Sequence, residues 1–170
     1  MRALRVLVLG IGTLGIVLFS GGAEAASASL TLSSVFGRTA TNLAVAFGNV
    51  DSECIATPVT GVTCTPLSGS ATWHGGIAFA IRVGGAGGAR LRMVGARETG
   101  GTVPATALLD GAAGVAPTRA YPVLPAAPIS LATTIGNGNT TVSRSIGLSV
   151  RLIDAAGVWT TNIVYSLVVE

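Results

Sequence analysis

Five stretches of this chain alternate apolar and polar residues with a period of two. In TNLAVAF the shared face holds Leu43, Val45 and Phe47; in GIAFAIRV it holds Ile77, Phe79, Ile81 and Val83. ARLRMV gives Leu91 and Met93. VSRSIGLSVRL gives Val142, Ile146, Leu148, Val150 and Leu152, with Arg144 interrupting, and VWTTNIVYSLVVE gives Trp159, Ile163, Tyr165, Leu167 and Val169. Side chains of a strand point alternately to its two faces, so this pattern predicts strands with one buried face. No helical period of comparable length occurs.

The connectors agree with that reading. Asp154-Ala-Ala-Gly157 predicts a short hairpin loop between the last two strands, and Gly84-Gly-Ala-Gly-Gly88 predicts a second glycine turn. A strand rather than a helix follows those glycines, which argues against a phosphate cradle. From Gly95 to Pro128 the alternation fades. Pro104, Pro117, Pro122, Pro125 and Pro128 fall there, and the stretch reads as an irregular insertion over about 95–128 that wraps the sheet, with room for an edge strand or one helical turn. The fold class expected is all-β, an antiparallel β-sandwich, with jelly-roll or barrel closure as alternatives.

Gly10-Ile-Gly12-Thr-Leu-Gly15 spells a dinucleotide fingerprint but lacks its context. Ser20-Gly21-Gly22 breaks any helix that would hold a pyrophosphate, and no acid lies between Glu24 and Asp51 to bind a ribose. The parts fit a secretory leader instead. Arg2 and Arg5 are cationic, Val6 to Phe19 is apolar, and Ala23-Glu24-Ala25 is a small-x-small cleavage site. The expected organisation is a signal peptide over 1–25 and one domain over 26–170, with no span in the mature protein because the apolar run is shorter than the ~20 residues that crossing needs. No cysteine follows the cleavage site, so no lipid anchor is indicated.

Charged residues make up 10% of the chain, and every cation is arginine. Without Arg2, Arg5 and Glu24, eight cations face six acids, so the basic balance reflects few charges rather than a basic stripe. Aromatics for base stacking are scarce at 5%, which excludes the usual nucleic-acid footprint. Cys54 and Cys64 flank a segment carrying Pro58 and Gly61. In an exported chain such a pair forms a disulfide by default, and two cysteines with one histidine cannot supply four zinc ligands.

The inventory for catalysis is thin, and no enzyme, cofactor or metal is expected. His74 in ATWHGG is the only histidine, no carboxylate is fixed beside it, and no G-x-S-x-G occurs. Asp51 and Glu53 are too few for calcium and read as turn residues. Asn139-Thr-Thr matches a glycosylation sequon. If Val83 faces Ala89 across the glycine turn, Arg82 opposes Arg90 with Arg92 next along. That cluster would suit an anionic ligand or a neighbour's carboxylate, or be a solvated face.

The ending AAGVWTTNIVYSLVVE resembles the close of spore-coat-U-like and other pilin-like domains, and of WxL-type bacterial surface domains, although the WxL motif itself is absent. The resemblance covers about the last ~30 residues and rests on a Gly-aromatic-Thr start leading into an alternating strand. It implies an Ig-like sandwich and assembly by strand addition, with one subunit's extension filling another's groove. Ala26, Ala28, Leu30 and Leu32 of ASASLTLSS alternate weakly, as such a donor or as the domain's own first strand. The function expected is a secreted structural or adhesive surface protein, extracellular or periplasmic, partnered by its own kind or other surface proteins. The alternative is a module binding extracellular glycan or anionic polymer, with Trp73 the candidate for sugar stacking. A secreted hydrolase is third.

Overall fold

The computed structural model describes residues 4–12, 27–40, 44–85 and 90–170. Residues 1–3 and 13–26, which hold most of the expected leader, Leu43, and most of the second glycine turn lie outside them. The described residues carry thirteen strands and no helix. In chain order these are β1 (Leu4–Gly12), β2 (Ser27–Val35), β3 (Arg38–Thr39), β4 (Ala44–Val45), β5 (Gly48–Val50), β6 (Thr63–Leu67) and β7 (Ser70–Gly84). There follow β8 (Leu91–Arg97), β9 (Leu108–Ala112), β10 (Arg119–Ala120), β11 (Ile129–Ile135), β12 (Gly138–Arg151) and β13 (Val158–Val169).

The strands form two sheets. One has the order β11-β8-β13-β1-β4, with β5 also on β1; the other runs β10-β9-β12-β7-β2-β3, with β6 also on β7. Pairing between strands is antiparallel except for β1 with β13. The alternating faces from both sheets meet in one core: Ile77, Phe79, Ile81 and Val83 from β7, Leu91 and Met93 from β8, and Trp159, Ile163, Tyr165 and Leu167 from β13. The rings of Phe79 and Tyr165 sit 4.6 Å apart between the sheets.

Both expected hairpins are corrected. β7 and β8 lie in different sheets, as do β12 and β13, so neither pair forms a hairpin. Alternation cannot tell these cases apart. A strand's apolar face turns to the core in either sheet, and a loop of this length spans ~10 Å between sheets as readily as ~4.8 Å within one. Leu152 and Val169, expected to share the core faces, are 70% and 47% exposed because they lie at strand ends.

Two further segments, left with alternatives by the sequence, are placed by the structure. The 95–128 stretch is built into the structure: β9 pairs with β12, β10 pairs with β9, and Val103, Ala107, Leu108 and Tyr121 join the core. Buried Arg97 holds its start, donating to the carbonyls of Val103, Pro104 and Ala105 and to Thr161 Oγ1. β2 is the domain's own strand rather than a free donor; it pairs with β7 from Ser27↔Gly84 to Val35↔Ile77 and buries Ala28 and Leu32. Beyond it, the ring of Phe36 lies over Gly75, where a Cβ would come within 2.3 Å of Phe36 Cδ1.

Candidate functional site

Residues that the sequence assigns to a leader occupy the middle of a sheet. β1 runs parallel to β13, with Arg5↔Val158, Val6↔Trp159, Leu9↔Thr161, Gly10↔Asn162, Ile11↔Ile163 and Gly12↔Val164. Its other edge pairs with β5 (Leu4↔Val50, Arg5↔Asn49, Val6↔Gly48) and with β4 (Leu9↔Val45, Gly10↔Ala44). The seat is thus one strand wide, about 10 Å from β13 to β5, twice the usual ~4.8 Å strand spacing.

β13 and the chain around β5 also make contacts that do not involve β1. On the far edge of β13, Thr160 O accepts from Thr102 N at 2.7 Å, Asn162 O accepts from Glu98 N at 3.0 Å, and Thr102 Oγ1 donates to Val158 O. Higher up, β8 pairs with Ile163–Val169. Backbone groups of successive residues in a strand face opposite edges, so those of Trp159, Thr161 and Ile163 face β1. β5 is tied down by the Gly48↔Pro58 bridge and by Val59 N donating to Phe47 O at 3.0 Å. With β1 seated, Val45, Phe47, Val50 and Ile163 are at most 1% exposed. Removing β1 would leave their strands with unpaired edges beside apolar core, which favours pairing with another strand.

The loop after β5 carries the disulfide. Cys54 and Cys64 are bonded, with Cα atoms 5.7 Å apart. Asp51 holds the turn, its carboxylate accepting from the backbone N–H groups of Glu53, Ile55 and Ala56. Those bonds give Asp51 the turn role that its position suggested. Among the described residues no three His, Cys, Asp or Glu side chains gather as a metal site.

The remaining candidate residues are dispersed. Trp73 is a core residue, 2% exposed, donating Nε1–H to Asp51 O at 2.7 Å; Trp159 is 5% exposed. Neither ring is free for sugar stacking, because each lies on an inward face. The proposed pairing of Arg82 with Arg90 and Arg92 does not form. Arg82 lies on β7 and Arg92 on β8, exposed on the outer faces of opposite sheets, with Arg90 just before β8. His74 Nε2 lies 3.2 Å from Thr65 Oγ1 and 3.4 Å from Thr63 Oγ1, hydroxyls rather than a carboxylate, and burial lowers its pKa. Asn139 is on β12, opposite Arg82.

One polar cluster was missed by sequence reasoning. Asp110, 1% exposed, accepts from Arg144 Nε and Nη2 and from Arg119 Nη2. Arg119 also donates to Ser130 O, which joins the β10 edge of one sheet to β11 of the other. The hydrogen bond to Asp110 is the main reason the Arg144 pKa is raised. The signal was Arg144 itself, a cation interrupting an apolar face. The cluster is fully satisfied and closes the fold's edge.

No protein-family model, curated protein or solved structure matches this chain.

Proposed function

We propose that this chain is an exported structural subunit of a cell-surface coat or fibre, a pilin-like β-sandwich that assembles by strand addition. The observation that carries this is the seat of β1. The segment Leu4–Gly12 fills a place between β13 and β4–β5, and the same segment reads as part of a leader removed after Ala25. Removal would vacate a nine-residue place whose walls stay anchored by the 98–103 loop and the Val59–Phe47 bond. A strand from another subunit restores both rows of backbone hydrogen bonds and covers Val45, Val50 and Ile163. The disulfide suits an oxidising compartment, and among the described residues no helix is long and apolar enough to cross a membrane. No reaction is assigned to the chain. With both tryptophans buried, glycan stacking has no support comparable to the strand seat.

The test is to express the full chain in an exporting host and sequence the N-terminus of the recovered protein. Cleavage before Ala26 is expected, with assemblies visible by size exclusion and microscopy. A peptide of the Leu4–Gly12 sequence, added in excess, is expected to occupy the seat and stop assembly. An uncleaved product, or a cleaved protein that stays monomeric at every concentration, would rule the proposal out.

A further inference from the structure

Asn137-Gly138 is the single Asn-Gly pair of the chain; the other four asparagines are followed by Leu, Val, Thr and Ile. It lies where the two sheets join. β11 ends at Ile135 in one sheet and β12 begins at Gly138 in the other, so Gly136 and Asn137 alone connect them. Ile135 is buried, whereas Asn137 and Gly138 are exposed to water. Gly138 sits at φ +109°, a backbone conformation that glycine enters freely and other residues rarely adopt, and a Cβ there would meet nothing within 4 Å.

These features favour one reaction of the labile asparagine side chain. The backbone nitrogen of the following residue can attack the amide carbon Cγ. A side chain on that residue would crowd the approach, and glycine has none. The attacking nitrogen must give up its proton, so positive charge nearby favours the step. Arg90 Nη1 lies 3.9 Å from the point where a side chain on Gly136 would begin. Arg82 pairs across the ladder with Asn139, the residue after Gly138, and both arginines are exposed. The side chain of Glu170, the acid at this end, already accepts from Thr134 N at 3.0 Å. The balance of charge around the pair is therefore positive.

We propose that Asn137 is a site of spontaneous covalent modification, converted by water to aspartate and isoaspartate. Gly138 N loses its proton and bonds to Asn137 Cγ; the Cγ–Nδ2 bond breaks, ammonia leaves, and a succinimide ring closes. Water then opens the ring. Opening at Cγ leaves aspartate, and opening at the Asn137 backbone carbonyl leaves isoaspartate, whose main chain is one methylene longer. One water is taken up and one ammonia released, with no oxidant or reductant. Either product places a new carboxylate at the arginine end and lowers the net charge by one from +3. The reaction needs neither leader cleavage nor strand addition, so it stands or falls apart from the function proposed above.

The test holds the folded full chain in mildly alkaline and mildly acidic buffer and follows it by peptide mapping and mass spectrometry. The fragment containing Asn137 is expected to gain the mass difference between an amide and an acid, faster in alkali, and to accept methyl groups from an isoaspartyl methyltransferase. The other asparagines are expected to stay intact. A synthetic peptide of residues 135–140 gives the rate set by sequence alone, and the folded chain is expected to convert alongside it. Arg90→Gln, at an exposed position, is expected to slow conversion about twofold or more with circular dichroism unchanged. An intact Asn137 in folded chain after the peptide has converted, or conversion spread equally over the other asparagines, would overturn the proposal. A rate unchanged in Arg90→Gln would overturn the part played by charge. Should that variant lose its fold, Arg82→Gln is read by the same criteria.

Discussion

The hydroxyls of Tyr121 and Tyr165 are hydrogen-bonded at 3.1 Å in the interior, joining a residue beside β10 to one on β13 in the other sheet. They are the only two tyrosines of the chain, 1% and 3% exposed, and burial raises both pKa values above the ordinary phenol range. The folded state thus favours the protonated phenols. Their contribution to stability is complete below the unfolded value near ~10 and is lost as pH rises above it. Ultraviolet titration should show no phenolate in the native protein at pH ~11, with phenolate and unfolding appearing together. Native titration near pH ~10 would contradict this geometry.

Asp110→Asn should be costly and Arg119→Ala mild. Asp110 is fully enclosed, with two arginines oriented on it, so neutralising it leaves Arg144 partly buried with its counter-charge gone. A loss of about 3 kcal/mol is expected, the low end for breaking a buried pair because Arg119 is half-exposed and can turn to water. Arg119→Ala should cost about 1 kcal/mol or less, since Arg144 remains. Urea midpoints compare the two; equal effects would mean that the Arg144 contact carries no special weight.

Replacing both Cys54 and Cys64 by alanine should destabilise by about 2.5–3 kcal/mol, the loop-closure value for a short ring. Because Asp51 also holds this loop through three backbone N–H groups, Asp51→Ala should lower stability further, by about 1–2 kcal/mol. Thermal melts of the unaltered chain and the two variants, with and without reductant, measure both. A reductant effect on the double alanine variant would point to a cause other than the disulfide.

His74 predicts a mild acid sensitivity. Burial lowers its pKa from the ordinary value of 6.5, so folding favours the neutral ring. That contribution is present above pH 6.5 and is lost as pH falls through the lower, folded value. The melting temperature should decline between pH 7 and 5, and His74→Gln should remove part of the slope. An identical slope in the variant would mean that other groups account for it.

Legibility differed from feature to feature. The strands were readable because burying one face of a pleated chain leaves a period of two in Ile77–Val83 and Trp159–Leu167. The partners of those strands were not, because β7 and β8 present the same pattern whether they pair side by side or face each other across the core. Trp73 read as a candidate for an exposed ring beside a lone histidine. Its depth became visible only with the Asp51 carbonyl that receives its N–H. Arg144 was visible as an interruption, while Asp110 was not, since one acid in a proline-rich stretch carries no mark of the strand it joins.

By itself the sequence determined the all-β class and the cysteine pair that closes the Asp51 loop. Both follow from local pattern and short-range spacing. Only the tertiary structure decided that β7 and β8, and likewise β12 and β13, lie in different sheets, that β2 belongs to its own domain, and that Leu4–Gly12 lies between β13 and β5. Strand pairing is a long-range choice made by backbone groups common to every residue, so side-chain order along the chain does not encode it.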